Sequence, residues 1–172
     1  MTYQSTLLTL LVSAMFVSTS VSSDDIFEHG GDLYHSTDDV AIASNAERDA
    51  FVVGYLVELT GDVAQDAHAA GFNVMVEGDV GGNLYAVGSN IKVEGEIGED
   101  LTASGFTISL SSDAKVLGNT RIAAGTMVMD SPLSGSLLAT GGTVKLNGTV
   151  EGDVRLRASD IEFGNDALIY GS

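Results

Sequence analysis

Apolar and variable residues follow one another along most of this chain in a short pattern that recurs at a fixed interval. Two apolar residues flank one variable residue, as in Val57-Glu58-Leu59 and Ile91-Lys92-Val93. This triplet is typical of a β-strand with one buried face, because successive side chains of a strand point to opposite sides. No part of the repeat has the apolar spacing of an amphipathic helix. The pattern therefore predicts an all-β protein.

The repeat aligns the chain with itself in eight consecutive units over residues 32–171. Six units have 17 residues and two have 19, and they begin at Asp32, Asp49, Asp66, Asn83, Asp100, Asn119, Ser136 and Asp153. We number positions within a unit from these residues. Positions 2, 4, 9, 11 and 15 are mainly apolar, whereas positions 6 and 13 are often glycine. Each unit is thus predicted to contain three short strands separated by three corners.

A single unit of this kind cannot bury its own apolar residues. Stacked units place those residues in continuous columns that form one core. We therefore expect a single-stranded parallel β-helix, a β-solenoid, with about eight coils of 17–19 residues. With a strand separation of about 4.8 Å, such a stack is a rod roughly 40 Å long. A propeller is rejected because each blade needs about 40 residues.

The first 23 residues contain no charged side chain and lie outside the repeat. Leu7–Val17 is a compact apolar run, followed by Ser/Thr-rich residues and Asp24-Asp25. Such a run is typical of a secretory signal peptide and is too short to span a bilayer as a helix. We predict a signal peptide at 1–23, an acidic segment and candidate cap at 24–31, and a solenoid domain at 32–171. An uncleaved anchor and a mis-assigned start codon are the alternatives.

The chain is strongly acidic, with 24 Asp+Glu against 7 Lys+Arg, a net charge of −17 and no Cys. An acidic chain repels phosphate, so no nucleic-acid partner is expected, and the lack of Cys excludes disulfides and thiolate metal sites. The acids recur at positions 1 and 14, where stacking brings like charges to about 5 Å. Two interpretations follow. The acids cap backbone amides at corners, or divalent cations such as Ca²⁺ bridge them.

Few residues in the repeat suggest catalysis. His29, His35 and His68 lie near carboxylates in the sequence, but His68 occupies an outward position, so we favour a solvated acidic segment over a metal site. Stacked-coil acyltransferases have a six-residue period and a loop insertion, and neither occurs here. Arg155 and Arg157 share an outward face and are expected to pair with acids of a neighbouring coil. We predict no catalytic residue, no cofactor and no metal ligand, and hence no enzyme.

Three stretches carry a resemblance to a known family: Gly71–Gly82 (GFNVMVEGDVGG), Gly88–Gly98 (GSNIKVEGEIG) and Gly141–Gly152 (GGTVKLNGTVEG). They resemble the bactofilin, or polymer-forming cytoskeletal, family over residues 49–171, with 32–48 as a degenerate first coil. The resemblance implies a right-handed β-helix of triangular section. It also implies nucleotide-independent, end-to-end assembly into filaments or sheets, often at membranes. Typical members are cytoplasmic, whereas the predicted signal peptide makes exported relatives the closer match.

The last coil suggests how the protein functions, because a solenoid end exposes unpaired backbone and a slice of core. We predict a non-enzymatic, bactofilin-like structural protein, exported to the periplasm or cell envelope of a bacterium. Its expected partners are further copies of itself, joined end to end as a homo-oligomer or filament, and membrane or cell-wall components. The alternative is an acidic solenoid that binds envelope polymer or divalent cations. The candidate self-association residues are Ile161, Phe163, Leu168, Ile169 and Tyr170.

Overall fold

The chain winds into stacked coils whose strands pair in parallel. The computed structural model describes residues 26–172, so the predicted signal peptide at 1–23 lies outside the described residues. Pairing steps by 17 residues between most coils and by 19 from Leu101 to Thr120, as the repeat predicts. Residues 26–172 contain strands and no helix, which confirms an all-β solenoid of about eight turns. Accordingly, no helix long and apolar enough to cross a bilayer occurs among them.

Fourteen strands make up this part of the chain. The full coils contain one strand of ten residues each, and shorter strands complete the remaining side. The strands are β1 (Phe27–His29), β2 (Asp32–Ser36), β3 (Asp39–Ile42), β4 (Ala50–Leu59), β5 (Ala67–Val76), β6 (Leu84–Val93), β7 (Glu96–Ile97), β8 (Leu101–Leu110), β9 (Lys115–Val116), β10 (Thr120–Met129), β11 (Leu137–Leu146), β12 (Thr149–Val150), β13 (Val154–Phe163) and β14 (Leu168–Ile169).

Each ten-residue strand forms two sides of its coil. In β5, Ala67 and Ala69 are buried, and the next buried residues are Val74 and Val76. The step from Ala69 to Val74 is an odd number of residues, so the inward–outward alternation shifts and the backbone turns a corner between them. We call the part at positions 2–5 side A and the part at positions 8–11 side B. Side C is the remaining side, which is built around position 15.

Side C is the narrowest of the three sides. Single residues pair there from coil to coil, with short strands where a coil is longer. The column consists of Ala46, Val63, Val80, Ile97, Val116, Leu133, Val150 and Ile169. Up to Val150 it joins the columns of sides A and B in one core of buried aliphatic residues, whereas Ile169 is exposed. The three predicted apolar columns are therefore all present.

Corner glycines serve close packing between coils. A Cβ on Gly71, at position 6, would lie 2.6 Å from the carbonyl oxygen of Gly54 in the preceding coil. A Cβ on Gly78, at position 13, would lie 2.2 Å from the carbonyl oxygen of Gly61. Side chains are excluded at these two corners because the preceding coil comes too close, and a left-handed backbone conformation is not the reason.

The N-terminal end of the described chain departs from the parallel pattern. Strand β1 pairs antiparallel with β2, so it covers the edge of side A in the first coil. Gly30 and Gly31 connect the two strands with φ angles of 64° and 92°, which favour glycine. Part of the predicted acidic segment 24–31 thus forms a hairpin strand.

One core column contains a polar residue without a hydrogen-bond partner. Thr120 pairs in register with Leu101 and Leu137 and is fully buried. Its hydroxyl oxygen has no partner among the described residues. A buried hydroxyl that has lost its hydrogen bonds to water without replacing them reduces stability.

We predict that Thr120→Val stabilises the protein. Valine keeps the branched shape and removes the unpaired hydroxyl, so the free energy of unfolding should rise by about 1 kcal/mol. Urea denaturation followed by circular dichroism measures the change. The control is Thr102→Val at an outward position one coil earlier, which should change stability by less than about 0.5 kcal/mol. A Thr120→Val variant no more stable than the parent would contradict this explanation.

Candidate functional site

The core columns end at an open apolar surface on the last coil. Val144 and Leu146 are 0% exposed in the seventh coil, whereas Ile161 and Phe163, their partners in the eighth, are 39% and 58% exposed. Ile169 continues the column of Val150 on side C and is 41% exposed. No described residue stacks on these side chains. We call the inward-facing surface of this coil the C-terminal end.

The five predicted self-association residues divide into two groups. Ile161, Phe163 and Ile169 continue core columns and therefore belong to the C-terminal end. Leu168 pairs with Thr149, and both Leu168 and Tyr170 are exposed neighbours of Ile169. Because side chains alternate along a strand, these two point away from the core on side C.

Two further residues belong to the C-terminal end and were absent from the predicted set. Val154 and Leu156 occupy positions 2 and 4 of the last coil and pack, partly buried, against the core. The repeat alignment already placed positions 2 and 4 in core columns, so it held the signal that identifies them.

The last coil also has an unpaired backbone edge. Strand β13 pairs with β11 on one side, and its other edge has no strand partner within residues 26–172. At the start of β13, the Val154 amide donates to the Ser172 carbonyl oxygen at 3.1 Å. The amide and hydroxyl of Ser172 donate in turn to Asp153 Oδ1 and hold the pKa of Asp153 below its ordinary value. The remaining edge is free to pair with another strand.

Acidic residues at position 1 link consecutive coils. Asp66 Oδ1 accepts the Asn83 amide at 2.8 Å, and Asn83 Oδ1 accepts the Asp100 amide at 3.1 Å. Position 14 repeats the arrangement, since Asp62 Oδ1 accepts the Asp79 amide at 3.0 Å. The capping interpretation is confirmed with one change: the capped amide belongs to the next coil. Asp, Asn and Ser interchange at position 1 because each supplies an acceptor oxygen.

Asp100 has an additional partner. Arg121 Nη1 donates to Asp100 Oδ2 at 2.8 Å, while Asp100 Oδ1 accepts the Asn119 amide at 2.7 Å. The hydrogen bond from Arg121, followed by that from the Asn119 amide, lowers the pKa of Asp100 below its ordinary value. The ionised carboxylate is thus favoured in the folded state.

We predict that this carboxylate contributes to the acid sensitivity of the protein. Its pKa is lower in the folded state, so its stabilisation is present above pH about 4 and is lost as the pH falls through the folded-state pKa. Asp100→Asn keeps an acceptor for the Asn119 amide and loses the ion pair, which should cost about 0.5 kcal/mol at pH 7. In urea titrations the difference from the parent should narrow towards pH 3. Asp113→Asn, at an exposed corner, is the control, and a difference independent of pH would argue against this role.

The histidines do not gather into a metal site. His68 lies between the rings of Phe51 and Tyr85, with ring centroids 4.6 and 4.9 Å away. His35 occupies position 4, which faces the core, and both its ring nitrogens lack hydrogen-bond partners among the described residues. Across residues 26–172, no three His, Cys, Asp or Glu side chains are grouped closely enough to hold a metal ion.

An outward ladder of aromatic rings runs along side A and was not predicted. Tyr34, Phe51, His68 and Tyr85 all occupy position 3, and their rings stack at 4.6–5.0 Å with interplanar angles of 1–7°. Phe27 of β1 extends the ladder, with its ring centroid 6.0 Å from that of Tyr34. The signal in the sequence was the spacing of 17 residues between these rings.

The outward arginines of the last coil have a different environment from the one expected. Arg155 and Arg157 were expected to pair with acids of a neighbouring coil, and this was wrong, because neither forms a salt bridge within the described part of the chain. Their in-register neighbours are Leu138 and Thr140, which carry no charge. Both guanidinium groups therefore remain available on the outward surface of side A.

No protein-family model, curated protein or solved structure matches this chain. The fold is consequently assigned from the coordinates of residues 26–172. The resemblance to bactofilins, together with the right-handed winding that it implies, stays a prediction.

Proposed function

We propose that this protein is a non-enzymatic structural protein of the bacterial cell envelope that assembles with copies of itself through the C-terminal end. A β-solenoid is consistent with a structural role. The observation that carries the proposal is that the core columns continue into the last coil and that no residue within 26–172 covers them there, so Phe163 is 58% exposed. The bactofilin-like sequence pattern supports assembly from the end of the rod. Envelope location rests on the predicted signal peptide.

The C-terminal end has two unmet requirements that one partner satisfies. Its apolar side chains gain about 25 cal/mol for each Å² removed from water. The edge of β13 beyond Val154 needs backbone donors and acceptors, because only the Val154 amide is satisfied by Ser172. A strand from a second copy supplies both, whereas a glycan offers no regular series of amides. A second protein chain therefore fits this end best.

The two ends of the described solenoid differ. At the N-terminal end, β1 already pairs with β2 and occupies the edge of side A. At the C-terminal end, β13 and β14 each have a partner on one side only within the described chain. This asymmetry favours the C-terminal end as the contact surface.

The distribution of charge also favours contact between ends over contact between sides. The acids are distributed along the outside of the rod, and the net charge is −17. Like-charged sides repel one another, and the repulsion is screened over about 8 Å at physiological ionic strength. The inward-facing side chains of the C-terminal end, Ile161, Phe163 and Ile169, are uncharged, so contact between ends is less opposed than contact between sides.

We predict that Phe163→Arg shifts the protein towards monomer in sedimentation velocity. The substitution places a charge in the apolar contact and should weaken self-association by at least about tenfold, or roughly 1.4 kcal/mol. Ser159→Arg is the matched control, because it adds the same charge at an exposed outward position of the same coil. Circular dichroism verifies that both variants fold.

Equal sedimentation of Phe163→Arg, Ser159→Arg and the parent would contradict the proposal. A parent that is monomeric at every concentration tested, and shows no filaments by negative-stain electron microscopy, would contradict it as well. A folded Phe163→Arg monomer beside an assembled Ser159→Arg control is the supporting result.

A further inference from the structure

Side A has an outward surface without acidic residues. Its outward positions are 3 and 5, and the sixteen residues there include no Asp or Glu, although the chain contains 24. The sixteen outward residues of side B, at positions 8 and 10, include four acids: Asp39, Glu58, Asp160 and Glu162. These two columns of a strongly acidic rod are thus neutral to basic, and the acids of position 1 border them at the corner.

The first four coils make this surface apolar and aromatic. The stacked rings at position 3 are joined by exposed Val53 and Val87 at position 5. Exposed Tyr55 and Phe72 at position 7, followed by Phe106 at the same position of the fifth coil, extend it around the corner. Because stacked rings cover one another's faces, they present mainly their edges and hydroxyl groups. A sugar ring, which packs against an aromatic face, finds no such face along this ladder.

The last three coils make the same surface basic. Arg121 and Arg155 occupy position 3, with Leu138 between them, and Arg157 occupies position 5. A shallow groove of about 300 Å³ is lined by Leu138, Arg155 and Asp153, among others. Arg121 also lines it but is paired with Asp100, so the arginines of this surface without a salt bridge within residues 26–172 are Arg155 and Arg157. Guanidinium groups bind phosphate oxygens through paired hydrogen bonds. Arg155 and Arg157, beside the exposed Leu138, therefore suit an anionic partner that also has apolar parts.

We propose that side A docks on the surface of a bilayer that contains anionic lipids. Tyrosine and other aromatic rings favour the level of the lipid headgroups, and arginines pair with headgroup phosphates. The inference rests on the proposed envelope location and is independent of self-association. It assigns the membrane contact to the side of the solenoid itself.

The dimensions of side A favour a bilayer over a folded protein partner. A side roughly 40 Å long and 13 Å wide offers roughly 500 Å². Two such surfaces bury about 1,000 Å², below the 1,200–2,000 Å² that is usual for stable protein complexes. Binding to a bilayer does not require this minimum buried area per copy, because many copies can bind to one continuous surface.

The course of the chain brings side A to the membrane during export. Strand β1 lies beside β2 at the edge of side A, and the uncharged residues 1–23 precede it closely in the sequence. The ten residues from Val17 to Phe27 reach at most about 35 Å when extended. Until the predicted signal peptide is cleaved, side A therefore stays within this distance of the membrane that the chain crosses. The net charge opposes binding, but salt screens the more distant acids.

Single-tryptophan variants of the full chain test the orientation, because the protein contains no Trp. Val87→Trp places the probe on side A, and Met75→Trp places a matched probe at an outward position of side B in the neighbouring coil. The vesicles contain equal parts of phosphatidylcholine and phosphatidylglycerol, with brominated acyl chains as quenchers. We expect Trp fluorescence at position 87 to be quenched at least about twofold more than at position 75. Equal quenching would overturn the proposal.

A second pair of variants tests the basic half by flotation with the same vesicles. Arg155→Ser with Arg157→Ser should lower the bound fraction several-fold, about 1 kcal/mol for each charge removed near the surface. Lys92→Ser with Lys145→Ser removes the same charge from side B and should leave the bound fraction unchanged. With vesicles of pure phosphatidylcholine, the two arginine substitutions should not change the bound fraction. Equal losses from both pairs would overturn the proposal, since net charge alone would then govern binding.

These experiments separate the two proposals. If side A fails to bind vesicles while Phe163→Arg still abolishes assembly, the membrane inference is wrong and self-association stands. If vesicle binding depends on side A but the parent is monomeric, the membrane inference stands and the proposed self-association is wrong.

Discussion

Parallel pairing in register joins each coil to the next, and the remaining features of the structure follow from it. Every residue meets its own equivalent one coil away, as Val57 meets Val74 and Val74 meets Ile91. Each column must therefore be compatible with copies of itself. Aliphatic residues satisfy this condition inside, and glycine satisfies it at corners such as Gly71 and Gly78, where carbonyl oxygens lie 2.6 and 2.2 Å from a Cβ position. An exception inside, such as Thr120, has no partner for its hydroxyl among the described residues.

The requirement that each column be compatible with copies of itself also explains how the rod accommodates its acids. A column of carboxylates stacked at about 5 Å is unfavourable unless each oxygen has a donor. At position 1 the side chains from Asp49 to Asp153 accept the backbone amide of the equivalent residue one coil later, so the ladder is held by hydrogen bonds and the charge stays near solvent. Asp32, in the first coil, is the exception. Arg121 neutralises one member of this column. Acidic edges and a stable stack are thus compatible without an ion between the carboxylates.

The ends and the sides of the rod have different properties because stacking leaves a backbone edge to be paired at the ends and constrains the outward residues of the sides only weakly. Pairing of this kind has no internal stop, so an end is either covered, as β1 covers β2, or left with an open edge, as in β13. The sides are formed by residues that stacking does not constrain as strongly. There the sequence varies between coils, and side A acquires rings in the first coils and arginines in the last. We base assembly on the open end and membrane contact on this side.

The sequence alone determined the class of fold, the boundaries of the eight coils and the core columns, because in-register stacking converts spatial neighbours into residues at a fixed spacing. It also pointed to Ile161 and Phe163 at the end of those columns. The tertiary structure decided which outward residues meet. It placed Leu168 and Tyr170 away from the core, left Arg155 and Arg157 beside uncharged neighbours, and formed the antiparallel strand β1. These features depend on where each side points and on which edge a strand joins, and the period of the repeat specifies neither.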